Sequence, residues 1–329
     1  MKVLFFSAQS YDREYFTRAN QAAPLELRFL EAPLNVDNTA LIKDEQVICV
    51  FVNDHVTAEI ISILKEKNVK LIALRSAGFN NVDLAAAATA GIKVVRVPAY
   101  SPHAVAEHAL TLLTALNRKI YKSYNRVRDN NFTLSGLEGI DLFGKTVGII
   151  GTGNIGTVFC KIMLGIGCKV IAHDVYINEE LVLAGVAYKS LDEVLSESDI
   201  VSLHCPLMPA TKHLINKNSI VSMKKGVILI NTSRGGLIDT VAVIDALKNG
   251  HIGALGIDVY EQEEHLFFQN FSDTIVQDDV LSRLTTFPNV LITAHQGFFT
   301  KEALMQISNI TLNNIRSYVD DGILLNEVK

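Results

Sequence analysis

Short apolar runs recur along the first part of the chain, at 3–6, 25–30, 47–52, 71–74 and 93–97, and helix-length segments at 58–67 and 82–90 separate several of them. Runs this short, rich in Val, Ile and Leu, read as strands buried on both faces, and their alternation with helices is the rhythm of a covered parallel sheet. The first half is therefore expected to be a compact flavodoxin-like α/β unit. Ser101-Pro102-His103-Ala104 then offers a capping serine and a proline at the first helical position, which predicts one long helix running to about residue 127 and linking two halves. Six further buried-strand patterns follow, at 147–150, 169–173, 200–204, 227–231, 254–259 and 290–293, the number in a complete doubly wound dinucleotide fold. A last segment, 301–319, places Leu304, Ile307, Ile310, Leu312 and Ile315 along a helix expected to pack back on the first half. No repeat, low-complexity tract or Gly/Ser linker interrupts the pattern, so the connections between halves read as hinges of a few residues.

Between the first two strands of the second half lies Gly151-Thr152-Gly153-Asn154-Ile155-Gly156, a dinucleotide fingerprint in its proper strand-turn-helix context. Gly151 allows the tight turn, Gly153 lets the backbone approach a pyrophosphate, and Gly156 lets helix pack on strand, while the helix N-terminus faces negative charge. Asp174 closes the next apolar run at about the twenty-residue distance expected of an acid that grips a ribose diol. A carboxylate there repels a 2′-phosphate, and neither Val175 nor Tyr176 supplies an arginine to welcome one, so NAD is favoured over NADP. The expected fold is α/β with two doubly wound parallel-sheet domains. A Rossmann NAD-binding domain at 101–298 is inserted into a flavodoxin-like substrate (catalytic) domain formed by 1–100 and 299–329.

Composition narrows the class. The chain has 329 residues, 49% hydrophobic and 20% charged, and can bury a full core. Thirty basic and 35 acidic residues give a net charge of −5 with no basic stripe, which speaks against a nucleic-acid partner. No apolar run approaches the ~20 residues of a membrane helix, and the N-terminus lacks a signal pattern, so a cytoplasmic protein without membrane attachment is expected. Cys49, Cys160, Cys168 and Cys205 form no CxxC pair and suggest neither a metal site nor a disulfide framework. His103 and His108 are five apart, which turns them off a common helix face, and both read as structural or surface residues.

Ligands of open α/β sheets bind beyond the carboxyl ends of the strands. Those ends are polar here: Asn231-Thr232-Ser233-Arg234-Gly235-Gly236, Asp258-Val259-Tyr260-Glu261-Gln262-Glu263 and Ala294-His295-Gln296. Reduction of a 2-oxo acid needs a hydride donor, a proton donor for the carbonyl oxygen and an anchor for the carboxylate. Arg234, flanked by small residues, suits the anchor because its planar fork gives two parallel hydrogen bonds. His295 suits the acid/base role, and Glu263 beside it would favour the imidazolium, raise its pKa and fix its tautomer. Asp258 has no obvious proton to move and is assigned to the nicotinamide carboxamide. Taken singly, each residue also has a bland reading: Arg234 as an ion-pair arginine, Glu263 as a surface acid, His173 and His204 as core or rim histidines, and Cys205 as a packing residue.

Together these motifs resemble the D-isomer-specific 2-hydroxyacid dehydrogenases. Further stretches, Arg75-Ser76-Ala77-Gly78-Phe79-Asn80-Asn81-Val82-Asp83, Val97-Pro98-Ala99-Tyr100-Ser101-Pro102 and 258–268, resemble the family's fermentative D-lactate dehydrogenase branch over essentially the whole length. The resemblance implies NAD-dependent, reversible hydride transfer between NADH and pyruvate giving D-lactate, without a metal. It implies that Arg234 binds the substrate carboxylate, His295 is the acid/base and Glu263 its partner. It further implies that amides of Ala77 and Gly78 help hold the carboxylate and that Tyr100 lies near the substrate. Cys205, Pro206, Thr211, Thr232 and Ser233 would line the NAD, with Thr211 standing where asparagine is frequent and Gly297 where alanine is common. Phe298 and Phe299 would wall off the substrate's methyl end. The family also implies a homodimer or homotetramer.

Two other readings remain open on the sequence. A reductase of larger, aromatic 2-oxo acids would share the mechanism and the length. An NAD(H)-sensing scaffold would share the fold and cofactor without needing Arg234, Glu263 and His295 together.

Overall fold

The computed structural model describes residues 1–21 and 23–328, the side chain of His265 excepted. It divides into two compact units, one formed by Met1–Ser101 and Phe299–Lys329 and the other by Pro102–Phe298.

The first unit carries strands β1 (Lys2–Phe5), β2 (Glu26–Phe29), β3 (Val47–Val50), β4 (Leu71–Leu74) and β5 (Lys93–Val95), all parallel, in the order β2-β1-β3-β4-β5. This is the flavodoxin-type order. The central strands β3 and β4 are buried at every position, as their unbroken apolar runs require, whereas edge strand β2 is only partly covered. Helices α1 (Ser10–Ala19), α2 (Ala58–Glu66) and α3 (Leu84–Ala90) connect them. Thr57 caps α2, whose Ile60, Ile61 and Leu64 are buried; full burial of each such side chain contributes about 1.5–3 kcal/mol. Asp83 caps α3 through the Ala86 amide, and the helix ends at Gly91 with φ +74°, a left-handed turn that glycine takes without steric cost. The C-terminal helix α12 (Lys301–Asp321) packs on α1 and β4, burying Leu304, Ile307, Leu312 and Ile315, with Ile310 half-buried.

In the second unit, β6 (Thr146–Ile150), β7 (Lys169–His173), β8 (Ala187–Tyr188), β9 (Ile200–Leu203), β10 (Val227–Asn231), β11 (Ile252–Ile257) and β12 (Val290–Ile292) form a parallel sheet ordered β12-β11-β10-β9-β6-β7-β8. The direction of winding reverses between β6 and β9, so the crevice for a dinucleotide opens at the carboxyl ends of these strands. Strand residues alternate between two cores: on β10, Ile228 and Ile230 join α4 (Pro102–Arg118) and α6 (Asn154–Ile166), while Val227 and Leu229 face the opposite layer. That layer includes α8 (Leu191–Glu197), α9 (Lys217–Ser222), α10 (Thr240–Lys248) and α11 (Asp279–Thr285). The short α7 (Glu179–Leu183) follows β7.

Two expectations are corrected. The single helix expected to reach residue 127 is two, α4 and α5 (Ile120–Arg128), because Lys119 between them is left-handed at φ +48°. The returning chain holds this break: Lys119 Nζ donates to the Gly136 and Glu138 carbonyls, and Asn117 exchanges two 2.8 Å hydrogen bonds with Ile140. A Cβ on Gly139 would lie 2.5 Å from the Asn117 carbonyl oxygen, so glycine permits the approach. Second, the nucleotide sheet has a seventh strand, β8, whose two residues are too few for a periodicity. Among the described residues no helix is long and apolar enough to cross a membrane.

Candidate active site

The nucleotide crevice is built around glycine. The chain leaves β6 at Gly151, φ +95°, where a Cβ would lie 2.5 Å from the Cys205 amide nitrogen, and a Cβ on Gly156 would collide with the Gly151 carbonyl oxygen. Gly153, the residue before α6, has open space where a side chain would be, so its backbone and the first amides of the helix stay accessible. Asn154 is exposed and Ile155 half-buried beside it.

Asp174, just past β7, accepts from the Thr152 amide at 2.5 Å, the Thr152 hydroxyl at 3.1 Å and the Tyr176 amide at 3.3 Å. Burial alone would push its pKa up, but these donors outweigh it and hold the carboxyl below the usual carboxylate range. It is therefore an anion tied to the fingerprint. The hydroxyl of Thr232, past β10, is buried without a hydrogen-bond partner among the described residues. An orphaned polar atom beside a glycine-opened crevice fits a polar ligand that completes its bonding. Ser233 Oγ donates to the Cys205 carbonyl at 2.7 Å and ties the ends of β9 and β10. Burial pushes the Cys205 thiol up to about 11, so it is a protonated packing group. Pro206 is exposed, and the Thr211 hydroxyl donates to the Pro206 carbonyl at 2.7 Å while accepting from the Met208 amide at 2.8 Å, which commits it to its own turn.

The Arg234 segment is fixed from within. Asn231 accepts from the Ser233 amide at 3.0 Å and donates to the Arg234 carbonyl at 2.9 Å, and Arg234 Nη1 donates to the Ser233 carbonyl at 2.7 Å. The half-buried guanidinium has no further protein acceptor among the described residues. A Cβ on Gly235 would collide with the Tyr260 carbonyl, so only glycine lets this segment lie against the one that leads to Glu263.

Glu263 is gripped at both oxygens. Oε2 accepts from the Tyr260 amide at 2.8 Å, and Oε1 lies 2.7 Å from Nδ1 of His295. A carboxylate only accepts, so Nδ1 carries the shared proton and Nε2 is left as the working nitrogen. His295 itself sits at φ +52°, held by its amide donating to the Asp258 carbonyl at 2.7 Å.

Asp258, 1% exposed, has more to do than the sequence suggested. Oδ1 accepts from Thr293 Oγ1 at 2.5 Å and the Gln296 amide at 2.8 Å, Oδ2 accepts from the Gly297 amide at 2.7 Å, and His108 Nε2 stands 3.3 Å from Oδ1. Burial would raise its pKa, but the bonds from His108, Thr293 and Gln296 lower it on balance, so the buried group is charged. Its main observed task is to hold the turn that carries His295. The sequence reading of His108 as a structural or surface residue rested on its spacing from His103, and that spacing gives no sign of the Asp258 and Thr293 side chains it meets. His204 bonds Ser202 Oγ at 2.9 Å, and His173 bonds the Lys189 carbonyl at 3.1 Å; burial takes the His204 pKa down to about 3.

In the first unit, Ala77 and Gly78 follow β4 in a turn pinned by Ser76 Oγ on the Gly78 carbonyl at 2.8 Å and by Arg96 on the Ala77 carbonyl at 2.7 Å. Neither of their amides is given to a protein acceptor among the described residues. Tyr100 is half-buried near the end of this unit, and Phe299 lies edge-on to Tyr11 with centroids 4.8 Å apart. Phe298, of the second unit, is buried.

Residues 110–297 match the NAD-binding domain of the D-isomer-specific 2-hydroxyacid dehydrogenases. The chain is 50% identical over 323 residues to 2-hydroxyacid dehydrogenase homolog 1 of Schizosaccharomyces pombe, covering 98% of this chain and 97% of that one. It is 48% identical over 315 residues to the D-lactate dehydrogenase of Escherichia coli, covering 96% of each. Among solved structures, the pyruvate reductase of Chlamydomonas reinhardtii superposes with a TM-score of 0.95 at 47% identity, covering 99% of this chain and 98% of that one.

Proposed function

The chain belongs to the D-isomer-specific 2-hydroxyacid dehydrogenase family, as an NAD-dependent oxidoreductase, and on that premise we propose that its reaction is the reversible reduction of pyruvate to D-lactate. One observation carries the proposal: the Tyr260 backbone joins the two halves of the chemistry, its amide orienting Glu263 toward His295 and its carbonyl accepting the close approach of the Arg234 segment. The names of the E. coli and C. reinhardtii relatives, a D-lactate dehydrogenase and a pyruvate reductase, support the same pair of compounds.

Arg234 grips the substrate carboxylate with its outward guanidinium donors. Nε2 of His295 gives its proton to the carbonyl oxygen as negative charge develops there, and takes it back from the hydroxyl in the reverse direction. Glu263 accepts from Nδ1 and keeps the imidazole in the one tautomer that works. Bound nicotinamide supplies or receives the hydride. Asp174 takes the adenosine ribose diol, Gly153 and the start of α6 meet the pyrophosphate, and Asp258 is assigned an additional contact to the carboxamide.

The test is the initial rate of NADH loss with pyruvate, phenylpyruvate and oxaloacetate, followed by NAD reduction with D- and L-lactate. Fastest turnover with pyruvate and D-lactate is expected. A larger 2-oxo acid winning by a wide margin would replace the substrate assignment, and NADH binding without turnover on any of them would remove the catalytic reading.

A further inference from the structure

We propose that His108, on helix α4, is a positioning residue for this chemistry, acting through Thr293 and Asp258 on the turn that presents His295. The inference rests on His295 being the acid/base.

The direction of the hydrogen bonds sets out the relay. Thr293 Oγ1 has one proton and gives it to Asp258 Oδ1 at 2.5 Å. Its lone pairs therefore face His108 Nε2 at 2.9 Å, which must be the donor, and the same nitrogen lies 3.3 Å from Asp258 Oδ1. His108 thus places an N–H against both members of a buried hydroxyl–carboxylate pair, with side chains 13% and 2% exposed for histidine and aspartate. Asp258 passes the constraint on: its carboxylate receives the amides of Gln296 and Gly297, and its backbone carbonyl receives that of His295.

The turn so held is not one the chain adopts freely. His295 is left-handed at φ +52°, a conformation costly for a residue with a Cβ and kept only where its surroundings over-determine it. Three consecutive amides, 295 to 297, converge on one aspartate, and a Cβ on Gly297 would lie 2.9 Å from Asp258 Oδ2, so the packing has little slack. Without the donor from His108, the buried Asp258 carboxylate and Thr293 hydroxyl lose a partner in a low-dielectric site and must rearrange or admit water. Either response shifts the turn at residue 295 relative to Glu263, which is held by the Tyr260 amide. Loss of alignment at the proton-transfer group lowers the chemical step more than cofactor binding.

The experiment compares His108→Leu, His108→Gln, Thr293→Val and the Leu/Val double variant in pyruvate reduction, with thermal melts of each. His108→Leu is expected to lower kcat by about tenfold to a hundredfold, with a smaller change in KM for NADH and a fall in Tm of only a few degrees. His108→Gln, whose amide can donate from a similar position, should recover most of the loss. Thr293→Val should lose a comparable factor, and the double variant no more than the worse single one, because both act through one aspartate. Unchanged kcat in His108→Leu, or a loss that Gln fails to rescue and that tracks a fall in Tm, overturns the proposal. His295→Ala is measured beside them: if it retains turnover, the acid/base assignment and this inference fall together. If it loses turnover while His108→Leu does not, this inference alone falls.

Discussion

Oε1 of Glu263 lies 2.7 Å from Nδ1 of His295, and the other oxygen of the same carboxylate is fixed at 2.8 Å by the Tyr260 amide. The pair is therefore oriented before substrate arrives. His295→Ala is expected to reduce kcat for pyruvate reduction by about a hundredfold to ten-thousandfold, the usual weight of a general acid, with KM for NADH little altered. Glu263→Gln keeps an oxygen able to accept from Nδ1 but removes the charge that stabilises the imidazolium, so a smaller loss is expected. Steady-state kinetics of the two variants check this; a His295→Ala enzyme within a few-fold of the parent would remove the histidine from the mechanism.

Arg234 gives Nη1 to the Ser233 carbonyl, and its other guanidinium donors have no protein acceptor among the described residues, as the proposed grip on the substrate carboxylate requires. Lysine at this position offers charge without the planar fork. Arg234→Lys should raise KM for pyruvate by about tenfold to a hundredfold, matching the ~1.5–3 kcal/mol of a hydrogen bond to a charged group, and leave NADH affinity nearly unchanged. Titration of NADH binding beside the pyruvate kinetics separates the two effects, and equal losses in both would mean that the arginine supports the fold of the crevice.

Much of this arrangement was legible in the sequence because it depends on local signals. The glycine fingerprint, the unbroken apolar strands and the polar strand ends each follow from a short stretch, and the resemblance to the 2-hydroxyacid dehydrogenases drawn from them is borne out by the family match over residues 110–297. The break at Lys119 was not legible, because no proline or glycine marks it, and the groups that bond Lys119 and Asn117 around it come from residues 136 to 140. Strand β8 escaped for want of length, yet its Tyr188 hydroxyl donates to Thr152 Oγ1 at 2.9 Å and so supports the threonine that holds Asp174. The link between His108 and Asp258 spans 150 residues, a separation at which spacing carries no information.

The direction of the proton sets opposite pH profiles for the two directions of turnover. On the proposed acid/base role of His295, reduction takes a proton from the ring and oxidation returns one to it, so kcat/KM for pyruvate is expected to fall as pH rises while that for D-lactate climbs. Rates taken across a pH series in both directions test this. Profiles that run parallel would show that the titrating group is not the one exchanging a proton with substrate.

Gly235 carries no chemistry, but its missing side chain sets the position of Arg234. An added methyl group would meet the Tyr260 carbonyl and the Glu261 amide, both backbone atoms that cannot turn aside. Gly235→Ala is therefore expected to push the Arg234 segment away from the Glu263 side, lowering kcat/KM for pyruvate by about tenfold or more while Asp174 and the fingerprint continue to bind NADH. A variant with parental kcat/KM would mean that the segment shifts without consequence.

His204 links the nucleotide crevice to acid stability. Its ring packs against Phe159 with centroids 4.9 Å apart, bonds Ser202 Oγ, and is driven by burial from an ordinary pKa of 6.5 to about 3. Between those two values the unfolded chain binds a proton there that the folded chain does not, so the unfolded state gains as pH falls. The folded state is unaffected by this group above about 6.5 and loses stability progressively on acidification toward 3. Glutamine retains a hydrogen-bonding group for Ser202 but does not titrate, so His204→Gln should remove part of this acid sensitivity. Urea midpoints of parent and variant at neutral pH and at pH about 5 provide the comparison: the parent's midpoint should drop further between the two conditions. Equal drops would show that the ring takes up its proton within the folded state, and hence that the packing around β9 opens to water on acidification.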